Sequence, residues 1–365
     1  MTRPRVLFVS RERFRLPLDE MQRRKWGAVG ELLDYRIVAA AQAGSPTTSE
    51  RMTLAPPAHV LDGPLYYARL PLRISRELRT FRPEVAVVQG VHEATAFLAA
   101  RRLARIDAKL VLDIHGDWRA ATRLYGSPAR RLLNPVSDAM ARTAVRHADA
   151  IRTLSPFTSA LVRRYGREPA GEFPAFLDRT VFLAGTPTPL PERPRALFVG
   201  VLERYKGFDT LAAAWPRVVD AVPRAELHVV GRGTLAPLAR GLGIRWTESL
   251  DVAGVAAAMD EATLLCLPSR AEGFGRVVVE AMCRGRTVVG GNAGGIPDLV
   301  EDGVTGLLVP PGDPAALADA LVRVLGDRET AARLGAAARR KGEELMPTPD
   351  EYAARVAAVV DKAAG

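Results

Sequence analysis

Short apolar runs alternate along the whole chain with stretches in which apolar positions recur every three or four residues. The first pattern is that of a strand buried on both faces, the second that of an amphipathic helix. Their alternation predicts parallel sheets wound with helices, an α/β chain. In the first half, strands are expected at Val6–Ser10, Tyr35–Ala40, Val85–Gln89, Lys109–Ile114 and Ala150–Leu154. Helices fit Glu20–Leu33, Leu65–Phe81, Ala94–Arg105, Ala129–His147 and Phe157–Tyr165. The proline-rich segment Gly185–Arg195 then interrupts the pattern and reads as a linker, because proline removes amide donors and stiffens the chain.

After it the alternation restarts. Strands fit Ala196–Val201, Glu226–Val230, Leu264–Leu267, Thr287–Val289 and Leu307–Val309. Helices fit Thr210–Val219, Leu235–Leu242, Val252–Met259, Val277–Arg284, Pro314–Leu325 and Glu329–Glu344. Two doubly wound domains are therefore expected, 1–186 and 187–347, facing one another across a hinge. Residues 348–365 form a last amphipathic helix, expected to pack back toward the first domain.

The length, 365 residues, agrees with two cores. No apolar run reaches the ~18 residues of a membrane span. The apolar core near the start, Val6 to Val9, is too short for a signal peptide and reads as a first strand. Cys266 and Cys283 are expected as buried free thiols, which places the chain in a reducing cytoplasm. Residues 1–186 hold 30 Lys and Arg against 18 Asp and Glu, the rest 21 against 23. The excess positive charge thus lies in the first half. It could draw an anionic or lipid-linked acceptor, or hold the protein at the inner face of a membrane, or simply solubilise helix faces. No aromatic–basic stacking platform or recognition helix points to nucleic acid.

The richest chemistry lies in Pro268–Gly295, PSRAEGFGRVVVEAMCRGRTVVGGNAGG. Glu272 sits in a loop with Gly273, Phe274 and Gly275, and Glu280 on the helix that follows. The first amides of a helix lack internal partners and carry its positive dipole end, so such a loop can hold a phosphate. Carboxylates there would repel phosphate unless aimed at hydroxyls, which they accept from well. Phosphate plus diols describes a nucleotide sugar. Other distinctive loops follow neighbouring strands: Gly200–Gly207 with Arg204 and Lys206, Gly231–Gly233, and Asn292–Gly295. Open α/β sheets bind ligands at these strand ends.

From about Ala196 to Gly312 the chain resembles the C-terminal domain of family 4 retaining glycosyltransferases. The resemblance rests on PSRAEGFG, EAMCRG and GGIPDLVEDGVTGLLVPPGD, with Asp298 where a glutamate is common. It implies the glycosyltransferase-B fold, two Rossmann-like doubly wound domains facing across a cleft. It also implies a nucleoside-diphosphate sugar as donor, retention of anomeric configuration, and no cofactor or metal. In this reading Lys206 pairs with the diphosphate, Glu272 approaches the donor sugar, and Glu280 accepts from the ribose. The amides of Phe274 and Gly275 cap an oxygen, and Gly200, Gly231, Gly233 and Gly273 line the donor. The family's arginine after the first-strand glycine is Val201 here, and Arg204 is the candidate replacement.

In the first half, VLDIHGDW sends Asp113 and His115 to one face of a strand end. The resemblance implies a catalytic role for His115, beside the transferred sugar. Asp113, His115 and Asp117 would make a poor metal site, because an extended strand carries the third group too far along. Arg11, Arg13 and Arg15 stand where the family often has a glycine pair; they are candidates to contact the acceptor or the diphosphate, or simply to face solvent, and Glu93 and Asp113 are further acceptor-side candidates. In PAFLDRTVF, Asp178 and Phe182 keep a common family pattern while Ala175 and Phe176 depart from it.

Two other activities fit parts of the chain. Gly231–Ala236 with Asp251 some twenty residues on suggests a dinucleotide fingerprint and an NAD-dependent oxidoreductase, but it follows the second strand of its domain. A nucleotide-sugar epimerase would use the same donor site.

Overall fold

A computed structural model describes residues 3–57, 62–119, 134–177, 179–242 and 244–365. The chain forms two compact units, one of Met1–Phe176 with Pro347–Gly365 and one of Leu177–Met346.

The sheet of unit 1 contains β1 (Arg5–Phe14), β2 (Asp34–Ala41), β3 (Met52–Ala55), β4 (Val85–Gln89), β5 (Lys109–Ile114), β6 (Ala150–Thr153) and β7 (Gly171–Glu172). All pairs are parallel, in the order β3-β2-β1-β4-β5-β6-β7. Alternate residues of β1 feed two cores. Leu7 and Val9 pack with α2 (Asp62–Phe81), α3 (Val91–Ala104) and α4 (Asn134–His147). Val6 packs on the other face, where α1 (Glu20–Leu32) and the C-terminal helix Pro349–Ala364 lie. Burial on both faces is why these strands read as unbroken apolar runs.

Unit 2 repeats the plan with β8 (Arg195–Val199), β9 (Glu226–Val230), β10 (Arg245–Thr247), β11 (Leu264–Leu267), β12 (Thr287–Gly291) and β13 (Gly306–Val309). The order is β10-β9-β8-β11-β12-β13, again parallel. In each sheet the strand order reverses beside the first strand, between β1 and β4 and between β8 and β11. A reversal of this kind opens a crevice at the carboxyl ends of the two strands.

Several expectations change. β1 continues to Phe14, with a register break between Val9 and Arg13, so Arg11 and Arg13 lie on a strand rather than in a loop. β3, β7 and β10 were not expected; each is a short strand at or near a sheet edge, too brief for a periodic signal. The expected helix Ala129–His147 is described from Asn134, and 129–133 and Asp178 lie outside the described residues. The proline segment is not the connection between units, because Gly185–Arg195 belongs wholly to unit 2. Arginines hold its carbonyls: Arg286 donates to Thr188 at 2.9 Å, and Arg328 to Leu190 at 2.6 Å and Pro191 at 2.7 Å. The carbonyls of this segment are open to these bonds because they lie before β8 and outside its ladder. The C-terminal helix starts at a reciprocal cap between Thr348 and Glu351 and buries Tyr352, Val356, Val359 and Val360 in unit 1.

Candidate functional site

The two loops at the β8/β11 reversal are tied together. After β8, Arg204–Lys206 make one 3-10 turn, closed by Gly207 at φ 73°. A side chain at Gly207 would put its Cβ 1.9 Å from the Pro268 carbonyl, so only glycine fits. After β11, the amide of Arg270 donates to the Tyr205 carbonyl at 2.7 Å. Lys206 Nζ donates to Glu272 Oε2, and both side chains are more than four-fifths buried. The predicted lysine and glutamate therefore occupy one place.

Arg270, which sequence reasoning passed over, supplies most of the connection. Its guanidinium donates to Asp209 Oδ1 at 2.6 Å and Oδ2 at 3.0 Å, to Thr210 Oγ1 at 2.9 Å, and to the Arg204 carbonyl. A planar fork gripping a carboxylate fixes position as well as charge. The signal was present in PSRAEGFG, but nothing in the chain marks Asp209 as its partner. Arg204 is different: its side chain is 78% exposed and lies 3.5 Å from Asp209 Oδ2. Its positive charge is held at the rim of the turn beside that carboxylate.

Glycines in the other loops face protein rather than open space. A Cβ at Gly231 would lie 1.8 Å from the Gly200 carbonyl, and one at Gly233 2.4 Å from the Leu202 carbonyl. The loops after β8 and β9 thus close on each other, which is why both are glycine-rich. Gly294 and Gly295 likewise sit against the carbonyls of Glu272 and Gly273, and the Gly295 amide donates to the Glu272 carbonyl at 2.9 Å. The Asn292–Gly295 loop is a floor under Glu272. This packing also accounts for Gly231–Gly233 without a dinucleotide, and Asp251 caps a helix by accepting from the Gly254 amide at 2.8 Å.

Phe274 is buried, and Gly275, at φ 88°, is the N-cap of the helix Arg276–Cys283. Among the described residues no side chain caps that end. Glu280 stands one turn in. Burial pushes its carboxyl above the ordinary range, and Arg276, 3.8 Å away, only partly opposes this.

In unit 1, His115 and Asp113 do share a face at the end of β5. His115 Nε2 lies 2.9 Å from Asp113 Oδ2, and Nδ1 lies 3.1 Å from Gln89 Nε2. Both ring nitrogens are engaged, so His115 is a held ring and not a free base. Burial would raise the Asp113 carboxyl, but the Arg152 guanidinium 2.7 Å away, with His115, holds it down at about 2. Asp113 is thus a buried ion-pair member rather than an exposed acceptor contact. Asp117 is gripped by Arg119 through bonds of 2.9 Å and 3.0 Å. Among the described residues, no group of three His, Cys, Asp or Glu side chains could hold a metal ion.

Glu93 is buried at the start of α3, where it accepts from the Tyr67 hydroxyl at 2.8 Å. Burial raises its carboxyl, and its own backbone amide and Arg11 oppose the rise. It fills the helix end that an anion would otherwise occupy. Arg11 lies over the rings of Tyr66 and Tyr67, at 6.0 Å and 5.6 Å from their centroids. Arg13 and Arg15 are exposed. Arg11 and Glu93 meet through Tyr67.

Two family models match this chain. Residues 31–172 match the glycosyl transferase 4-like domain and residues 193–327 the glycosyl transferases group 1 domain. The chain belongs to the group 1 glycosyl transferases. Among curated relatives, a phosphatidyl-myo-inositol mannosyltransferase of Mycobacterium leprae is 41% identical over 155 residues, 40% of this chain and 41% of that protein. Sulfoquinovosyl transferase SQD2 of Arabidopsis thaliana is 34% identical over 161 residues, 42% of this chain and 31% of that protein. The matches thus span 41% and 31% of the lengths of these two relatives, less than half of each. Among solved structures, sucrose-phosphate synthase from Thermosynechococcus elongatus superposes with a TM-score of 0.77 at 20% identity, covering 94% of this chain and 95% of its own. HepE of Anabaena, solved with UDP and glucose, gives 0.70 at 18% identity, covering 96% and 98%. The two Rossmann-like units are those of the glycosyltransferase-B fold that the sequence resemblance implied. No described helix is long and apolar enough to cross a membrane.

Proposed function

We propose that this group 1 glycosyl transferase moves a sugar from a nucleoside-diphosphate donor to an acceptor hydroxyl, with retention and without a divalent cation. The observation that carries the reading is the contact of Lys206 with Glu272 at the β8/β11 crevice. A diphosphate entering there would meet the largely buried ammonium of Lys206 and the uncapped N-terminus of the Arg276–Cys283 helix. Lys206 moves from Glu272 to the phosphate, and Glu272 is released to accept from sugar hydroxyls. As the glycosidic bond breaks, charge grows on the leaving phosphate. Lys206 and the amides stabilise that charge more in the transition state than before it. Glu280 accepts from the ribose. Glu272 and Glu280 are both assigned to hydroxyls in this reading, which leaves neither for a double displacement, so the leaving phosphate takes the acceptor's proton in a front-face attack. A thermal-shift panel of nucleotide sugars tests the donor class, since ligand at 100 times its Kd adds about 2.7 kcal/mol. Activity that vanishes on chelation with EDTA would remove the metal-free part.

We also infer contact with an anionic lipid surface. The observation favouring it is the outer side of α2, α3 and α4, which pack consecutively. Arg69, Arg76, Arg102 and Arg142 are exposed there among exposed Leu72, Leu103 and Val136. Among the described side chains of these helices, Glu77 and Glu93 are buried and Asp138 half-buried, so none presents an exposed carboxylate. Arginines attract anionic headgroups, and the apolar side chains gain by entering the interface. Co-sedimentation with phosphatidylglycerol vesicles, compared with phosphatidylcholine vesicles, tests it; equal recovery with both would refute it.

A further inference from the structure

Arg152, buried in β6, joins the places where the chain leaves and re-enters unit 1. Its Nη2 donates to the carbonyls of Phe173 at 3.2 Å and Pro174 at 2.8 Å, just before the exit at Phe176. Its guanidinium carbon lies 4.1 Å from the Phe173 ring centroid and 5.7 Å from that of Tyr352, which stands just after the re-entry at Pro347. Tyr352 in turn packs on Phe173 and Phe176, with centroids 5.9 Å and 5.5 Å away. Both crossings therefore close on one guanidinium.

The other side of Arg152 reaches the end of β5. Its Nη1 donates to Asp113 Oδ2 at 2.7 Å, and this same oxygen takes His115 Nε2 at 2.9 Å. Asp113 Oδ1 has no hydrogen-bond partner among the described residues, which supply no further anchor to the carboxylate. An ionised carboxylate only accepts, which assigns the proton of His115 to Nε2 and leaves Nδ1 to accept from Gln89. The setting of the ring thus depends on Asp113, and that of Asp113 on Arg152.

We infer that Arg152 is a positioning residue, which makes the orientation of His115 depend on the two chain crossings at Phe173–Phe176 and Tyr352. A shift of either crossing displaces the ring stack and the carbonyls that hold the guanidinium. Asp113 follows because one oxygen carries both bonds. Its part in catalysis rests on the proposed role of His115 in transfer; the mechanical link does not.

The link is read by long-range proton–nitrogen spectra of histidine-labelled full-length protein, with no donor present. Wild type is expected to show His115 as the Nε2–H tautomer alone. Tyr352→Leu is expected to shift the His115 ring nitrogens and populate the other tautomer to about one part in ten or more, while Tyr352→Phe restores the wild-type spectrum. An unchanged His115 spectrum in Tyr352→Leu overturns the inference. Phe176→Leu gives the same reading if the first variant loses its C-terminal helix. In assays, Tyr352→Leu should lower kcat about fivefold with donor KM within about twofold, and should have no further effect beside His115→Gln. An equal loss in both backgrounds would mark a merely structural role and overturn it as well. Absence of any donor binding would instead count against the proposed function and leave the spectral result standing.

Discussion

Lys206 donates to Glu272 across the crevice between two loops, 66 positions apart in the chain. Each removes the other's uncompensated charge while the site is empty. In the proposed mechanism a diphosphate replaces Glu272 as the partner of Lys206, and the pair acts as a latch that the donor opens. Lys206→Ala should cut turnover at least tenfold, because a charged hydrogen bond is worth about 1.5–3 kcal/mol. It should also lower the melting temperature of the empty protein, since it strands a largely buried carboxylate. Unchanged turnover would contradict the latch.

Arg270 should act on donor binding without touching the donor. Arg270→Ala removes the fork on Asp209 and frees the turn that carries Lys206. The donor KM should rise about tenfold or more. Arg270→Lys keeps the charge but not the planar grip, and should recover only part of the loss. Full recovery by lysine would mean that charge alone matters here.

In the proposed donor site, Glu280 trades stability for binding. Its folded carboxyl titrates above the ordinary range, chiefly because it is buried. Such a group contributes most to stability when protonated, and that contribution is lost as pH rises through its folded value. Glu280→Gln should therefore raise the neutral-pH melting temperature of the empty protein by about 2 °C or more, while weakening donor binding. The gain should disappear below about pH 4. Calorimetry with and without donor checks both signs.

Asp113 has the opposite sign. Arg152 and His115 outweigh burial and hold its folded carboxyl at about 2, below the 3.8 of the free side chain. Its contribution is present above the free value and is lost as pH falls toward the folded one, roughly 2 kcal/mol in all. Asp113→Asn should be destabilised at pH 7, because Arg152 is left buried and unpaired. The gap in melting temperature from wild type should narrow between about pH 5 and pH 2. A constant gap would show that the pair carries no charge-dependent stability.

Much of the fold was legible because parallel strands buried on both faces leave unbroken apolar runs. Val85–Gln89, Lys109–Ile114, Glu226–Val230 and Leu264–Leu267 appear with the bounds that the pattern predicted. Edge strands such as Arg245–Thr247 have too few buried positions to leave a trace. The proline segment looked like a linker because its backbone bonds go to arginines far off in sequence, which no local pattern shows. In the site, glycines and charges marked loops that the fold packs together at the β8/β11 reversal. They could not reveal that Gly207, Gly231 and Gly294 face carbonyls of neighbouring loops, or that Arg270 fastens the Lys206 turn. Those facts depend on which strand ends the fold brings side by side.

The central claim is that unit 2 binds a nucleoside-diphosphate sugar through Lys206. Isothermal calorimetry of wild type and Lys206→Ala against UDP-, GDP-, ADP- and TDP-hexoses tests it most directly. Heat with at least one donor in the wild type, and affinity for that donor reduced about tenfold or more in the variant, is the expected result. No heat with any of the four, or equal affinity in the two proteins, would contradict it.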